Sequence, residues 1–360
     1  MGRRFALALF LAAAAAAQGR ARALPPPQDD RFVTVRTGAH ARERREQLVR
    51  YLWGDAGMPR RRVADEHRRD VRGPLPGLAA VRRVDELVMD LAPGLRGLGY
   101  HFIPSAPNGD LVVVHQGHAC GLADPAGPGE TGHGLQRTIT ALLGEGYGVL
   151  ALFMPRRRPG DCGGSHEELF RIATAGNPMR FFLEPLAIGL NHVRLQAADD
   201  GFAPYRRFHA VGFSGGGWTV TVYAALDPGV TTTISVAGTS PLYLRTKGSR
   251  GDREQHDEPF YRLAGYPDLY VMGSLGPRRR QLQVVNRHDN CCFGEGQHDH
   301  AATGLSYAAS LAEYETRVRT ALLEAGPGEF SVVVDDEAPG HLISRHAIQT
   351  LILPALRQGR

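Results

Sequence analysis

Strands alternating with helices predict an α/β fold, a mostly parallel central sheet with helices on both faces. Three observations carry this. Residues 111–114, Leu-Val-Val-Val, form a continuous apolar run suited to a strand buried on both sides. A second such run, 147–153, follows a helix-compatible stretch over 134–143. Further strand-like runs at 207–212, 231–237, 281–286 and 330–334 are interleaved with helical stretches.

Taken in order, residues 31–72 are polar and arginine-rich, with 43–53 the best helical stretch. Strand-like runs at 84–91 and 98–103 come next, and Asn108-Gly109 turns the chain into 111–114. These early runs read as a meander, so the sheet is expected to be mixed. Gly144 and Gly146 stop the helix over 134–143, and Pro155 ends the strand over 147–153. Residues 177–197 read as a long helix. Thr, Ile and Val suit 231–237 to a pleated sheet. Helices are expected over 305–325 and 341–357, either side of the last strand. Residues 238–278, with Tyr243 and Tyr261, form an insert that either caps a pocket or is a plain excursion.

Residues 1–23 read as an export signal: Arg3 and Arg4, an apolar run from Phe5 to Ala17, then Ala21-Arg22-Ala23 as a cleavage site. The run is short for a membrane span, so no stable membrane anchor is expected, and the mature chain is placed outside the cytoplasm, secreted or periplasmic. Removing this segment takes away four arginines and no acid, lowering the formal charge from +5 to +1. That balance gives no reason to expect nucleic acid as a partner. Pro25-Pro26-Pro27 reads as a linker. The expected organisation is a signal over 1–23, an N-terminal extension of unassigned role over 24–80, and a catalytic domain over 81–360.

Four cysteines suit an exported chain with one or two disulfides. Cys120 and Cys162 fall in loops after neighbouring strands, which favours that bridge. The adjacent Cys291 and Cys292 could form a vicinal disulfide, pair elsewhere or stay reduced.

The motif that carries chemistry is Gly212-Phe213-Ser214-Gly215-Gly216. It matches G-x-S-x-G, with a strand-like run before it and a helix-compatible segment over 219–226 after it. A strand turning that sharply into a helix leaves the serine at the apex, and small residues are needed two places either side. The Gly215 amide and the helix N-terminus then face the point where a negative oxygen would develop. Loops at the carboxyl ends of parallel strands converge on one site, and three others here carry suitable groups. His341 lies past the last strand, Asp289 follows 281–286, and His115-Gln116-Gly117-His118 follows 111–114. Asp257 and Asp299 rival Asp289 as the acid. His118 and His166 either line the pocket or face solvent, and Trp218 reads as core. The cluster His288, Asp289, His298, Asp299 and His300 is metal-friendly in composition but irregular in spacing, so no metal is assigned.

From about residue 84 to the C-terminus this arrangement resembles the α/β-hydrolase superfamily. It is similar, loosely, to its secreted esterases and dienelactone-hydrolase-like members. The resemblance implies an α/β-hydrolase fold and a carboxylic ester hydrolase without cofactor. It implies Ser214 as nucleophile, His341 as general base then acid, and Asp289 as the group that orients His341. It also implies an oxyanion hole from the Gly215 amide and one of the amides of Gln116, Gly117 and His118. The expected partner is an ester, small or borne on a polymer. A serine peptidase or amidase on the same scaffold is the alternative, as is a noncatalytic or metal-dependent exported protein.

Overall fold

The computed structural model describes residues 31–75, 77–119, 121–124, 132–155, 166–246, 248 and 250–358. The expected export signal and the Cys120–Cys162 bridge lie outside these residues.

The chain begins with α1 (Gly38–Trp53), capped by the Thr37 side chain, which accepts from the His40 amide. Three strands follow: β1 (Glu66–Arg68), β2 (Val81–Ala92) and β3 (Leu95–Pro104). Then come β4 (Asp110–His115), α2 (Leu135–Gly144), β5 (Gly148–Leu152), α3 (His166–Leu169) and α4 (Arg180–Leu195). The second half runs β6 (Arg207–Phe213), α5 (Gly215–Leu226), β7 (Val230–Val236), α6 (Glu258–Leu263), α7 (Tyr266–Ser274) and β8 (Arg280–Asn286). It closes with α8 (His300–Thr303), α9 (Tyr307–Ala325), β9 (Glu329–Asp335) and α10 (Leu353–Gln358).

Among the described residues, nine strands form one sheet in the order β1-β2-β3-β5-β4-β6-β7-β8-β9. Pairings from β1 to β5 are antiparallel, and all those from β5 through β4 to β9 are parallel. The expected meander is therefore present, joined to a parallel sheet. The chain leaves β4 on one side to make β5, then returns to the other side for β6. That reversal opens a crevice between the loops that follow β4 and β6, where ligands of open α/β sheets bind.

Side-chain alternation divides the core. Leu111 and Val113 of β4 pack beneath α1, α4 and α5, while Val112 and Val114 pack beneath α2 and the C-terminal helix. Both faces are apolar, which explains why β4 reads as an unbroken hydrophobic run. The C-terminal helix starts later than 341. Residues 341–344 are irregular, and a π-helical turn over Ala347–Ile352 leads into α10. Ser344 causes the delay: its hydroxyl donates to Asp335 and accepts from the Ala347 amide, so it caps the helix.

Residues 34–35 are tied to a helix more than 200 residues away in the chain. The Thr34 and Val35 amides and the Thr34 hydroxyl all donate to the buried Asp268 carboxylate on α7, at 2.6–2.8 Å. Asp268→Ala should leave those donors without an acceptor and cost about 1–3 kcal/mol of stability. A lower urea midpoint with an unchanged slope is the expected measurement.

Candidate active site

Ser214 sits between β6 and α5 with φ 54° and ψ −131°, a left-handed conformation that a non-glycine residue rarely adopts. Its neighbours explain how the chain tolerates this. A Cβ on Gly212 would stand 2.2 Å from the Gly216 carbonyl oxygen, and one on Gly216 would stand 2.4 Å from that of His115. Any larger residue at either place would force the turn open. The loop after β4 lies against the same bend: a Cβ on Gly117 would meet Phe213 O at 2.3 Å and Gly215 N at 3.1 Å.

Ser214, His118, Phe213, Cys292 and His341 line one cavity of about 390 Å³. His341 Nδ1 is hydrogen-bonded to Asp289 Oδ2 at 2.7 Å. Asp289 is buried, and its Oδ1 accepts from the Cys291 and Cys292 amides at 2.8 and 3.2 Å. Backbone donors thus hold the carboxylate in one orientation, with its second oxygen turned to the imidazole. Burial pulls the His341 pKa down, but the Asp289 hydrogen bond and charge outweigh it, with help from Cys291, and the net shift is upward. A second clamp was not anticipated. Asn286, at the end of β8, donates through Nδ2 to Gly340 O at 2.8 Å and Leu342 O at 2.7 Å, one residue either side of His341. The signal for it, a lone Asn closing a strand, is too common to single out.

The rival acids are engaged elsewhere. Asp257 Oδ2 accepts from the Tyr51 hydroxyl at 2.6 Å and caps α6, and Asp299 caps α8. His288, His298, Asp299 and His300 join no convergent ligand set among the described residues, whereas Asp289 groups with Cys291, Cys292 and His341. The Cys291 and Cys292 thiols are free and in mutual contact. That contact draws Cys291 below the usual thiol range and pushes Cys292 above it.

Four amides are candidates to hold a developing oxyanion. The Gln116 N–H donates to Leu152 O at 3.1 Å, and the Gly117 N–H donates to His115 Nδ1 at 3.2 Å. Burial holds His115 neutral, with a pKa lowered to about 3, so it can accept. Among the described residues, the Gly215 and His118 amides meet no acceptor within the protein. They flank the Ser214 side of the cavity. The insert over 238–278 contributes in two ways: Gly251, Asp252 and Gln255 line the cavity, while α7 packs on α5. Trp218 is fully buried and donates through Nε1 to Tyr261 at 2.7 Å.

Comparison with solved structures gives the architecture a name. Methylesterase BT1017 superposes with a TM-score of 0.54 at 15% identity, over 89% of this chain and 61% of that one. The chain has the α/β-hydrolase fold. It spans 61% of the length of that methylesterase. Acetyl xylan esterase 1 from Thermoanaerobacterium sp. JW/SL YS485 aligns at a TM-score of 0.47 and 14% identity, over 92% of this chain and 98% of that one. No family model and no curated protein matches the sequence.

Two outcomes follow from the geometry. In Asp289→Asn the His341 titration should move to lower pH, because burial is left without its main opponent; NMR of the imidazole Hε1 signal measures it. In Asn286→Ala the loop carrying His341 loses the clamp on its flanking carbonyls, so the imidazole should be less firmly held. The His341 Nδ1 proton resonance should broaden in the same variant.

Proposed function

We propose that this chain is an exported serine hydrolase that cleaves carboxylic esters through an acyl-enzyme. The observation that carries the reading is the 2.7 Å bond between His341 and Asp289 on the wall of the cavity that also holds Ser214 at its strained bend. A serine hydroxyl is a weak nucleophile unless a base stands near its proton. An imidazole held in one tautomer by a carboxylate is such a base.

In this mechanism Ser214 Oγ attacks the acyl carbon and His341 Nε2 takes its proton. The carbonyl oxygen becomes an oxyanion held by the Gly215 and His118 amides. As the intermediate collapses, His341 returns the proton to the departing alkoxide, leaving an alcohol and Ser214 acylated. Water then gives its proton to His341 and attacks the acyl carbon. Collapse releases the acid and restores the Ser214 hydroxyl. Every step uses groups of this chain and water, so no cofactor is required. Ester substrates are further supported by the name of the methylesterase that shares the fold. Export is supported by the composition of residues 1–23.

The wild type should hydrolyse short p-nitrophenyl esters and be labelled on Ser214 by a fluorophosphonate. Ser214→Ala should lose both, and equal activity in the two proteins would overturn the reading. Asp289→Asn should cost several decades in turnover. Matched amides run beside the esters separate this reading from a peptidase, which would cleave both.

A further inference from the structure

A second constellation stands on the cavity rim, separate from Ser214, His341 and Asp289. His118 Nε2 and His166 Nε2 lie 3.1 Å apart, and Asp252 Oδ2 lies 3.2 Å from His118 Nε2. The three side chains come from separate segments: the loop after β4, the start of α3 and the insert before α6. Behind them, Glu254 Oε1 sits 2.8 Å from His166 Nδ1. Glu254 is fully buried, and its Oε2 has no partner.

The distances discriminate between two arrangements. The rings are inclined by 25° with centroids 4.7 Å apart. A linear N–H···N bond with that nitrogen spacing would set the centroids about 5.4 Å apart. Two imidazoles converging on one ion, each nitrogen about 2.0–2.1 Å from it, stand roughly 3.1–3.4 Å apart at their nitrogens and draw their centroids closer. The 3.1 Å nitrogen spacing falls within that range, and the 4.7 Å centroid separation is shorter than a linear bond sets. Glu254 supplies the feature that a metal-binding histidine almost always has: a carboxylate on the other ring nitrogen, which fixes the tautomer and leaves Nε2 as a lone pair. Two carboxylates, Asp252 and Glu254, face the two imidazoles. The neighbouring Arg253 is turned away, to Glu167 and the Phe170 ring.

We propose that His118 Nε2, His166 Nε2 and Asp252 Oδ2 bind one divalent transition-metal ion of the zinc class, with Glu254 orienting His166. Three protein ligands leave a fourth position for water or for a polar group of the substrate. The ion would also join three segments that are distant in sequence. One of them carries the His118 amide, which is how the site would stiffen the loop beside Ser214. A Cβ on Gly215 would stand 2.7 Å from His118 Cε1, so the His118 ring and the bend are already in contact. This proposal does not rest on the ester reading.

The test is metal uptake by the full chain, stripped with a chelator and titrated with zinc chloride by calorimetry, with metal content measured after desalting. One equivalent should bind. Asp252→Asn and His166→Ala should weaken binding at least 100-fold, and Glu254→Gln by about 10–100-fold. The Cys291→Ser/Cys292→Ser double variant should bind as the wild type does. It controls for one of the two other convergent groups, Asp289, Cys291, Cys292 and His341; uptake at the remaining one, His67, His192 and Asp200, would persist in Asp252→Asn and would overturn the proposal. Cobalt(II) in the wild type provides a readout that needs no variant: d–d bands of a low-coordinate site, without a thiolate charge-transfer band. Absence of uptake, uptake lost only in the cysteine variant, or a thiolate band would each overturn the proposal.

Discussion

The fold is organised around a single backbone crossing. At Ser214 the chain turns from β6 into α5 in a conformation that costs on the order of 1–3 kcal/mol, and surrounding contacts hold it there. Gly212 and Gly216 meet without side chains between them, and Gly117 brings the neighbouring loop onto the same bend. That approach is possible because β4 and β6 are adjacent, paired in register from Asp110 with Arg207 to His115 with Gly212. The strand order therefore puts the bend, the loop amides and the cavity in one place.

Around that crossing, polar groups are placed by backbone partners more than by side-chain packing. Asp289 is held by two amides, His341 by Asp289 and by the Asn286 clamp on its flanking carbonyls, and Ser344 caps the helix that follows. Buried polar groups are costly unless bonded, so these partners also fix the geometry of the groups they hold. Two unpartnered backbone groups are informative. Free amides at Gly215 and His118 face the cavity, where a substrate oxygen would supply the missing acceptor.

The insert over 238–278 is both core and rim. Tyr261, Tyr266 and Trp218 link α5 to α6 and α7 through buried hydroxyl and indole bonds, while Asp252 and Gln255 reach the cavity. The N-terminal segment has a comparable dual character. It closes on α7 through Asp268, and β1 extends the sheet at its antiparallel edge. Neither segment carries a pattern that announces this, because each buries its surface against elements hundreds of residues away or across an irregular loop.

The sequence by itself determined the central strands and the long helices between them, the mixed sheet and the bend at Ser214. These follow from local causes: apolar runs on doubly covered strands, helix-period patterns, and glycines where no side chain fits. The positions of Asp289 and His341 after late strands were also legible, because chain order fixes which loops reach the carboxyl edge of the sheet. Only the tertiary structure decided which carboxylate faces His341. Asp257 and Asp299 differ from Asp289 only in what surrounds them, and both are occupied at helix starts. The same holds for the loop amides, where Gln116 is bonded to β5 and His118 is free. It holds for His118, His166 and Asp252, which no spacing relates. Hydrogen-bond partners are set by distances in space, and in a sheet whose strand order departs from chain order those distances cannot be read along the chain.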